Sequence, residues 1–230
     1  MIFAGILAGG VGSRVKNATM PKQFIPICGK SVFVRCVEAF YKVSQIDKII
    51  VAVNRDYEEL YVKLLNDCNL SLDRIILTQG GSDRLTSLIN TVNKAKEMCS
   101  QNSVFLSHDC ARCFVSQEII LNNIKEIENY DIVTTVSPVI DTMWSISDTP
   151  SVLPKNSIFH GQSPQTFYTN DFLDLIEKSK DLTKYNEAGV LYMDNNKKIG
   201  FVEGDRYLFK ITNDYDIQLS NFLVENSYIK

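Results

Sequence analysis

The sequence predicts an α/β fold: a mostly parallel, mixed sheet with helices on both faces, plus one projecting β-arm. Three observations carry this expectation. Short apolar, β-branched runs alternate with helical patterns over the first two thirds of the chain, the texture of successive strand–helix units. The first run, 2–8, empties at once into glycines. Polar loops at 7–14, 79–87 and 107–113 all fall where strands end, and in parallel sheets ligands gather at the carboxyl ends of strands.

Ile2-Phe3-Ala4-Gly5-Ile6-Leu7-Ala8 reads as a buried strand, followed by Gly9-Gly10-Val11-Gly12-Ser13-Arg14. Glycines let backbone N–H groups approach a ligand because no Cβ stands in the way, and such N–H groups form an anion-binding concavity. Arg14, and Lys22 in Pro21-Lys22-Gln23-Phe24, add two positive charges. The plainer reading is a glycine-rich turn with two solvated basic residues. Three familiar loops are excluded. No Gly-Lys-Ser/Thr string completes a Walker loop, Val15 stands where a dinucleotide fingerprint needs glycine, and the other kinase signatures are missing.

The next strand arrives near Lys48 and covers 49–53, with a helix over 57–65. A strand at 74–78 ends in Gln79-Gly80-Gly81-Ser82-Asp83-Arg84, and a helix follows over 85–98. A strand at 104–106 ends in Ser107-His108-Asp109; Ser116 caps a helix reaching 128; 131–136 is another strand. The alternation breaks after Pro138. From 139 to 167 come short β-like pieces with Pro154, Gly161 and Pro164, read as an extended arm that packs on a partner subunit. Helices at 170–179 and 186–194, strands at 199–202 and 207–212, and a helix from Asp214 complete one domain spanning 1–230.

Composition narrows the partners. The net charge of −3 gives no reason to expect nucleic acid or an anionic membrane surface. No apolar run approaches the about 18 residues of a membrane helix. The N-terminus lacks a basic leader and a cleavage site, so a cytoplasmic protein is expected. Cysteines stand at 28, 36, 68, 99, 110 and 113. Only Cys110 and Cys113 are close, and with no second pair to complete a zinc site they read as buried thiols, redox or metal chemistry being the other reading.

Two further residues bear chemistry. Asp109 follows a strand beside the proposed cradle and is a candidate Mg²⁺ ligand, because magnesium takes one or two protein carboxylates and leaves its other positions to phosphates and water. A structural hydrogen bond is the competing role. Lys210, in Phe209-Lys210-Ile211-Thr212, is either a third cation at the site or solvent-facing. His108-Asp109 has too few histidine companions for a metal phosphohydrolase, since only His160 remains.

Together these motifs resemble the IspD-type cytidylyltransferases, a family that includes methylerythritol-phosphate and ribitol-5-phosphate enzymes. The resemblance runs from Ile2 to about Leu219. It is carried by Leu7 to Arg14, Pro21-Lys22-Gln23-Phe24, Gly80 to Arg84, His108-Asp109-Cys110-Ala111-Arg112, Asp141-Thr142, Gly161-Gln162-Ser163-Pro164-Gln165 and Lys210-Ile211-Thr212. The opening Ala4-Gly5-Ile6-Leu7-Ala8-Gly9-Gly10 is most similar to the ribitol-phosphate branch.

The resemblance implies a Rossmann-like nucleotidyltransferase fold, a homodimer with exchanged arms, and transfer of a cytidylyl group from CTP to a polyol phosphate such as ribitol-5-phosphate or glycerol phosphate, for surface polysaccharide or teichoic acid. It implies that Leu7, Ala8, Gly9 and Gly10 hold the triphosphate and that Gly81, Ser82, Asp83, Arg84, Leu85, Thr86 and Ser87 hold cytosine and ribose. Cys110 and Ala111 join the nucleotide site, with Mg²⁺ on Asp109. Arg14, Lys22 and Lys210 become the catalytic cations, and Thr142 and Lys155 hold the acceptor's phosphate from the neighbouring subunit. Lys155, Leu208, Glu187 and Cys113 stand where the family has arginine, asparagine, aspartate and proline, through a changed acceptor or drift. Three other functions compete: methylerythritol-phosphate cytidylylation, a sugar-1-phosphate nucleotidyltransferase using UTP or GTP, and a non-catalytic nucleotide-binding domain.

Overall fold

The structure, a computed structural model of the chain, describes residues 1–10 and 20–229. In order, the elements are β1 (Ile2–Leu7), β2 (Pro26–Ile27), β3 (Lys30–Ser31), α1 (Val32–Tyr41), β4 (Lys48–Val53), α2 (Glu58–Asp67), β5 (Ile75–Gln79), α3 (Arg84–Met98) and β6 (Val104–Asp109). There follow α4 (Gln117–Glu126), β7 (Ile132–Pro138), β8 (Trp144–Ser145), β9 (Ser151–Val152), β10 (Phe159–Tyr168), α5 (Thr169–Lys178), α6 (Ala188–Asp194), β11 (Ile199–Glu203) and α7 (Asp214–Glu225).

Seven strands form the central sheet in the order β11-β7-β10-β6-β1-β4-β5. All neighbours pair in parallel except β10, which runs antiparallel between β6 and β7. Side chains alternate across a strand, so β1 feeds two cores. Ala4 and Ile6 pack with α1, α2 and α4, while Phe3 packs with α3, α5 and α6. Helices therefore cover both faces, as the strand–helix alternation predicts.

Local chemistry starts the helices. Ser31 Oγ accepts from Val34 N, Asp83 from Thr86 N and Ser116 Oγ from Ile119 N, each satisfying an orphan donor of a first turn. Helix α1 has no counterpart in the sequence analysis. Its apolar face, Val32, Phe33, Val34, Cys36, Val37 and Phe40, is fully buried. Nearly continuous apolar character in that stretch hides the helical period.

Two expectations are corrected. The stretch 139–167 is not one arm. Its first part carries the two-stranded β8–β9 ribbon, with Trp144 60% and Ile146 91% exposed. Its last part is β10, hydrogen-bonded on both sides in the central sheet. Gly161 and Pro164, which read as breakers, instead lie in an irregularity between Gly161 and Gln165. Residues 207–212 are not a strand either. Leu208 N bonds Asp205 O and Ile211 N bonds Ala111 O, and no ladder forms. Leu208 and Ile211 are buried, which pins this connection across the carboxyl ends of the strands and leaves Lys210 between them half-buried. Among the described residues no helix is long and apolar enough to cross a membrane.

Candidate functional site

A cleft of about 550 Å³ opens at the carboxyl ends of β1, β4, β5 and β6. Leu7, Ala8, Gly9, Gly10, Lys22, Gly81, Ser82, Asp83, Arg84, Ser87, Asp109, Cys110, Ala111 and Lys210 all line it. Most residues nominated from separate motifs thus meet in one place. Leu85 and Thr86 do not line it. Leu85 turns into the core on the α3 face, and Thr86 N and Oγ1 are spent on Asp83 at the helix cap. Arg14, with Val11, Gly12 and Ser13, lies outside the described residues.

The glycine-rich floor is held from below. Gln23 Nε2 donates to the carbonyls of Ala8 at 2.9 Å and Gly10 at 3.0 Å. Tyr61 Oη donates to Ala8 O at 2.7 Å. A trans peptide points its N–H opposite its C=O, so fixing Ala8 O against Tyr61 turns Gly9 N–H the other way. Among the described residues a Cβ at Gly10 would meet nothing within 4 Å, and the missing side chain leaves this part of the floor open to a ligand. At Gly81 the reason is internal, because a Cβ would collide with the Thr86 side chain. Gln23 and Tyr61 were not among the nominated site residues. Gln23 sits inside the Pro21–Phe24 motif, so the motif was the available signal, whereas Tyr61 is placed by α2 alone.

Charge is concentrated at one wall. Asp109, at the end of β6, receives Arg84 Nε at 2.9 Å and Lys210 Nζ at 2.8 Å, with Arg112 Nε at 3.9 Å. Burial pushes this carboxyl up, but Arg84 and Lys210 outweigh it and hold Asp109 well below the ordinary carboxylate range. The expectation of a lone carboxylate facing the cleft is therefore refined: Asp109 is ionised and shared between two cations. Arg84 also donates through Nη1 to Asn186 O at 3.0 Å, tying α3 to the loop before α6. Lys22 Nζ donates to Ile211 O at 3.0 Å, so the two lysine-bearing segments meet over the cleft.

His108 is fully buried, and burial lowers its pKa to about 4. Cys110 and Cys113 are buried free thiols in the core beside Cys36, and burial pushes Cys113 well up. They behave as small hydrophobes, the reading favoured from their spacing. Among the described residues no cluster of three or more His, Cys, Asp or Glu is placed to hold a metal ion.

A second cleft, about 720 Å³, adjoins the first through Lys210 and is lined by Arg112, Asp141, His160, Gln162, Asp205 and Arg206, among others. Thr142 and Lys155 line neither cleft of this chain and stand exposed near the β8–β9 ribbon.

The family model described as IspD, 2-C-methyl-D-erythritol 4-phosphate cytidylyltransferase, matches residues 2–226. Among solved structures, the chain is similar to a 4-diphosphocytidyl-2C-methyl-D-erythritol synthase from Anaerococcus prevotii DSM 20548, with 25% identity, 97% of this chain and 96% of that chain covered, and a TM-score of 0.83. Two more distant likenesses support the fold. They are 2-C-methyl-D-erythritol 4-phosphate cytidylyltransferases from Francisella tularensis (20% identity, 96% and 98% covered, TM-score 0.77) and Thermus thermophilus (21%, 98% and 100%, TM-score 0.76).

Proposed function

The chain belongs to the IspD cytidylyltransferase family and is a CTP-dependent nucleotidyltransferase, and we propose that its acceptor is a polyol phosphate, with 2-C-methyl-D-erythritol 4-phosphate favoured. The family match over residues 2–226 carries the choice of acceptor. The three similar structures named above are all described as methylerythritol-phosphate cytidylyltransferases or a diphosphocytidyl-methylerythritol synthase, which favours isoprenoid synthesis over a surface polymer. Ribitol-5-phosphate is the second reading, favoured by the opening Ala4 to Gly10 motif.

The chemistry follows from the cleft. A phosphate oxygen of the acceptor is already anionic at neutral pH and attacks the α-phosphorus of CTP. The new O–P bond forms as the bond to the β-phosphate oxygen breaks, and pyrophosphate leaves. No base is required, so positioning and charge stabilisation supply the rate. Gly9 and Gly10 cradle the triphosphate, Gly81 to Arg84 and Ser87 border the nucleoside, and Lys22, Lys210 and Arg14 offset charge on the reacting and leaving groups. A single carboxylate fits a magnesium ion carried in on a triphosphate, and Asp109 would hold it. Bound there, the ion would neutralise triphosphate charge. Arg84 and Lys210, held at Asp109, would then be free to turn toward phosphate.

A homodimer in the cytoplasm completes the proposal. Trp144, Ile146 and Val152 expose apolar surface on the β8–β9 ribbon, and pairing would bring a partner's Thr142 and Lys155 to the acceptor. A CTP-dependent pyrophosphate-release screen over methylerythritol, ribitol, arabinitol and glycerol phosphates tests the reading. Turnover with methylerythritol phosphate is expected. Turnover with ribitol-5-phosphate alone would overturn the acceptor while leaving cytidylyl transfer intact. CTP binding without pyrophosphate release from any acceptor would indicate a non-catalytic domain.

A further inference from the structure

His108 lies on β6 directly before Asp109, and neighbouring side chains on a strand point to opposite faces. Asp109 therefore lines the cleft while His108 points beneath it, fully buried and packed on Phe40 with ring centroids 4.9 Å apart. Both ring nitrogens are engaged. Nε2 lies 3.0 Å from the carbonyl oxygen of Arg112, which only accepts, so Nε2 carries the proton and donates. Nδ1, left with its lone pair, accepts the Ser163 hydroxyl at 3.0 Å. The same Ser163 Oγ accepts the backbone N–H of Asp109 at 3.2 Å.

These bonds bracket a single turn. Arg112 N closes it onto Asp109 O at 2.9 Å. His108 holds its far end at Arg112 O directly, and its near end at Asp109 N through Ser163. The turn presents Asp109, Cys110 and Ala111 to the cleft. From its far end, Arg112 Nη1 reaches Leu208 O at 2.9 Å and Nη2 reaches Gly161 O at 3.2 Å. One ring thus fastens the turn to β10 and, through Arg112, to the connection that carries Lys210.

We propose that His108, acting with Ser163, is a positioning residue of cytidylyl transfer, fixing the 109–112 turn so that the Asp109 carboxylate stands between Arg84 and Lys210. The inference rests on the cytidylyl-transfer reading of the cleft and is independent of which acceptor is used. A neutral imidazole suits the task because it sets one donor and one acceptor at a fixed distance on a rigid ring. It is not a general base for the reaction, since it is fully buried and lines neither cleft.

The test is a double-mutant cycle with His108→Phe and Ser163→Ala, plus His108→Gln as the conservative variant. The readouts are kcat and KM for CTP in pyrophosphate release, melting temperature, and hydrogen exchange at the 109–112 amides. His108→Phe keeps ring volume and the contact with Phe40 but loses both bonds. Its kcat is expected to fall on the order of tenfold to hundredfold, the usual effect of displacing a catalytic group by a fraction of an ångström to an ångström, with KM for CTP little changed. His108→Gln, which restores a donor toward Arg112 O, recovers part of the loss. The double variant is expected to lose less than the sum of the two single losses, because the ring and the Ser163 hydroxyl hold the near end of the turn through one chain of bonds. Amide protection at 109–112 drops in both single variants. Additive losses, an unchanged kcat, or a His108→Gln variant no better than His108→Phe would each overturn the proposal. Should His108→Phe fail to fold, Ser163→Ala deletes only a hydroxyl, and unchanged kcat and amide protection in it would overturn the proposal alone. A wild-type enzyme inactive with every acceptor would instead refute the reaction reading.

Discussion

Replacing Asp109 by asparagine tests how the charged wall of the cleft works. The wild-type carboxylate accepts from Arg84 at 2.9 Å and Lys210 at 2.8 Å. Two charge-assisted hydrogen bonds would be worth about 3–6 kcal/mol if wholly lost. The partner side chains are 26% and 35% exposed, so water recovers much of that for the freed cations. Asparagine also avoids the cost of burying a carboxylate. The expected net destabilisation is about 2 kcal/mol. For a chain of 230 residues this lowers the melting temperature by about 4–8 °C. The pH dependence has a definite sign. A carboxyl whose folded pKa is depressed contributes stability above its unfolded pKa of about 3.9 and loses it as pH falls through the folded value. The difference between Asp109→Asn and wild type is therefore constant across neutral pH and closes only in strong acid. In the variant Arg84 and Lys210 are no longer neutralised, so metal-free CTP binding, measured by calorimetry in a chelator, tightens while turnover falls by about 10². Unchanged melting together with unchanged turnover would refute the shared-carboxylate account.

Three more expectations follow from the same geometry. Lys22→Ala lowers kcat by roughly 10²–10³, as expected for loss of one transition-state donor, and near-normal turnover in steady-state assays would remove Lys22 from the chemistry. His108, with its pKa lowered to about 4 by burial, makes the native state bind fewer protons than the unfolded chain below pH about 6.5; stability in urea titrations therefore falls by about 3 kcal/mol between neutral pH and pH about 4, a slope that His108→Gln flattens. Gln23→Leu leaves the Ala8 carbonyl to Tyr61 alone and removes the donor that holds the Gly10 carbonyl, lowering stability by about 1 kcal/mol and raising KM for CTP; a raised KM with no loss of stability would show that the loop is held by other means.

Much of the cleft was legible in the sequence because its parts are short and local. A glycine pair after an apolar strand, the Gly80–Arg84 loop and a strand ending in Asp109 each announce a polar loop at a strand's carboxyl end, and parallel pairing brings such ends together. Lys22 and Lys210 were legible as residue types in motifs. Residues that act from a distance were not. Tyr61 reaches Ala8 O across 53 residues and Ser163 reaches His108 across 55, and no local pattern encodes either contact. The same holds for β10, whose glycine and proline read as breakers until the strands on either side supply its hydrogen bonds.

The amino-acid sequence by itself determined the alternation of strands and helices, the glycines of the floor and the supply of cations, because these depend on side-chain period and on backbone freedom. Only the tertiary structure decided where Lys210 lies, that Asp109 is shared between Arg84 and Lys210, and that His108 faces away from the cleft to hold the turn above it. The reason is physical. Packing of a helix start and a connection against the end of a strand places residues far apart in the chain within 3 Å of one another, and a charge acquires its role from the partners that packing supplies.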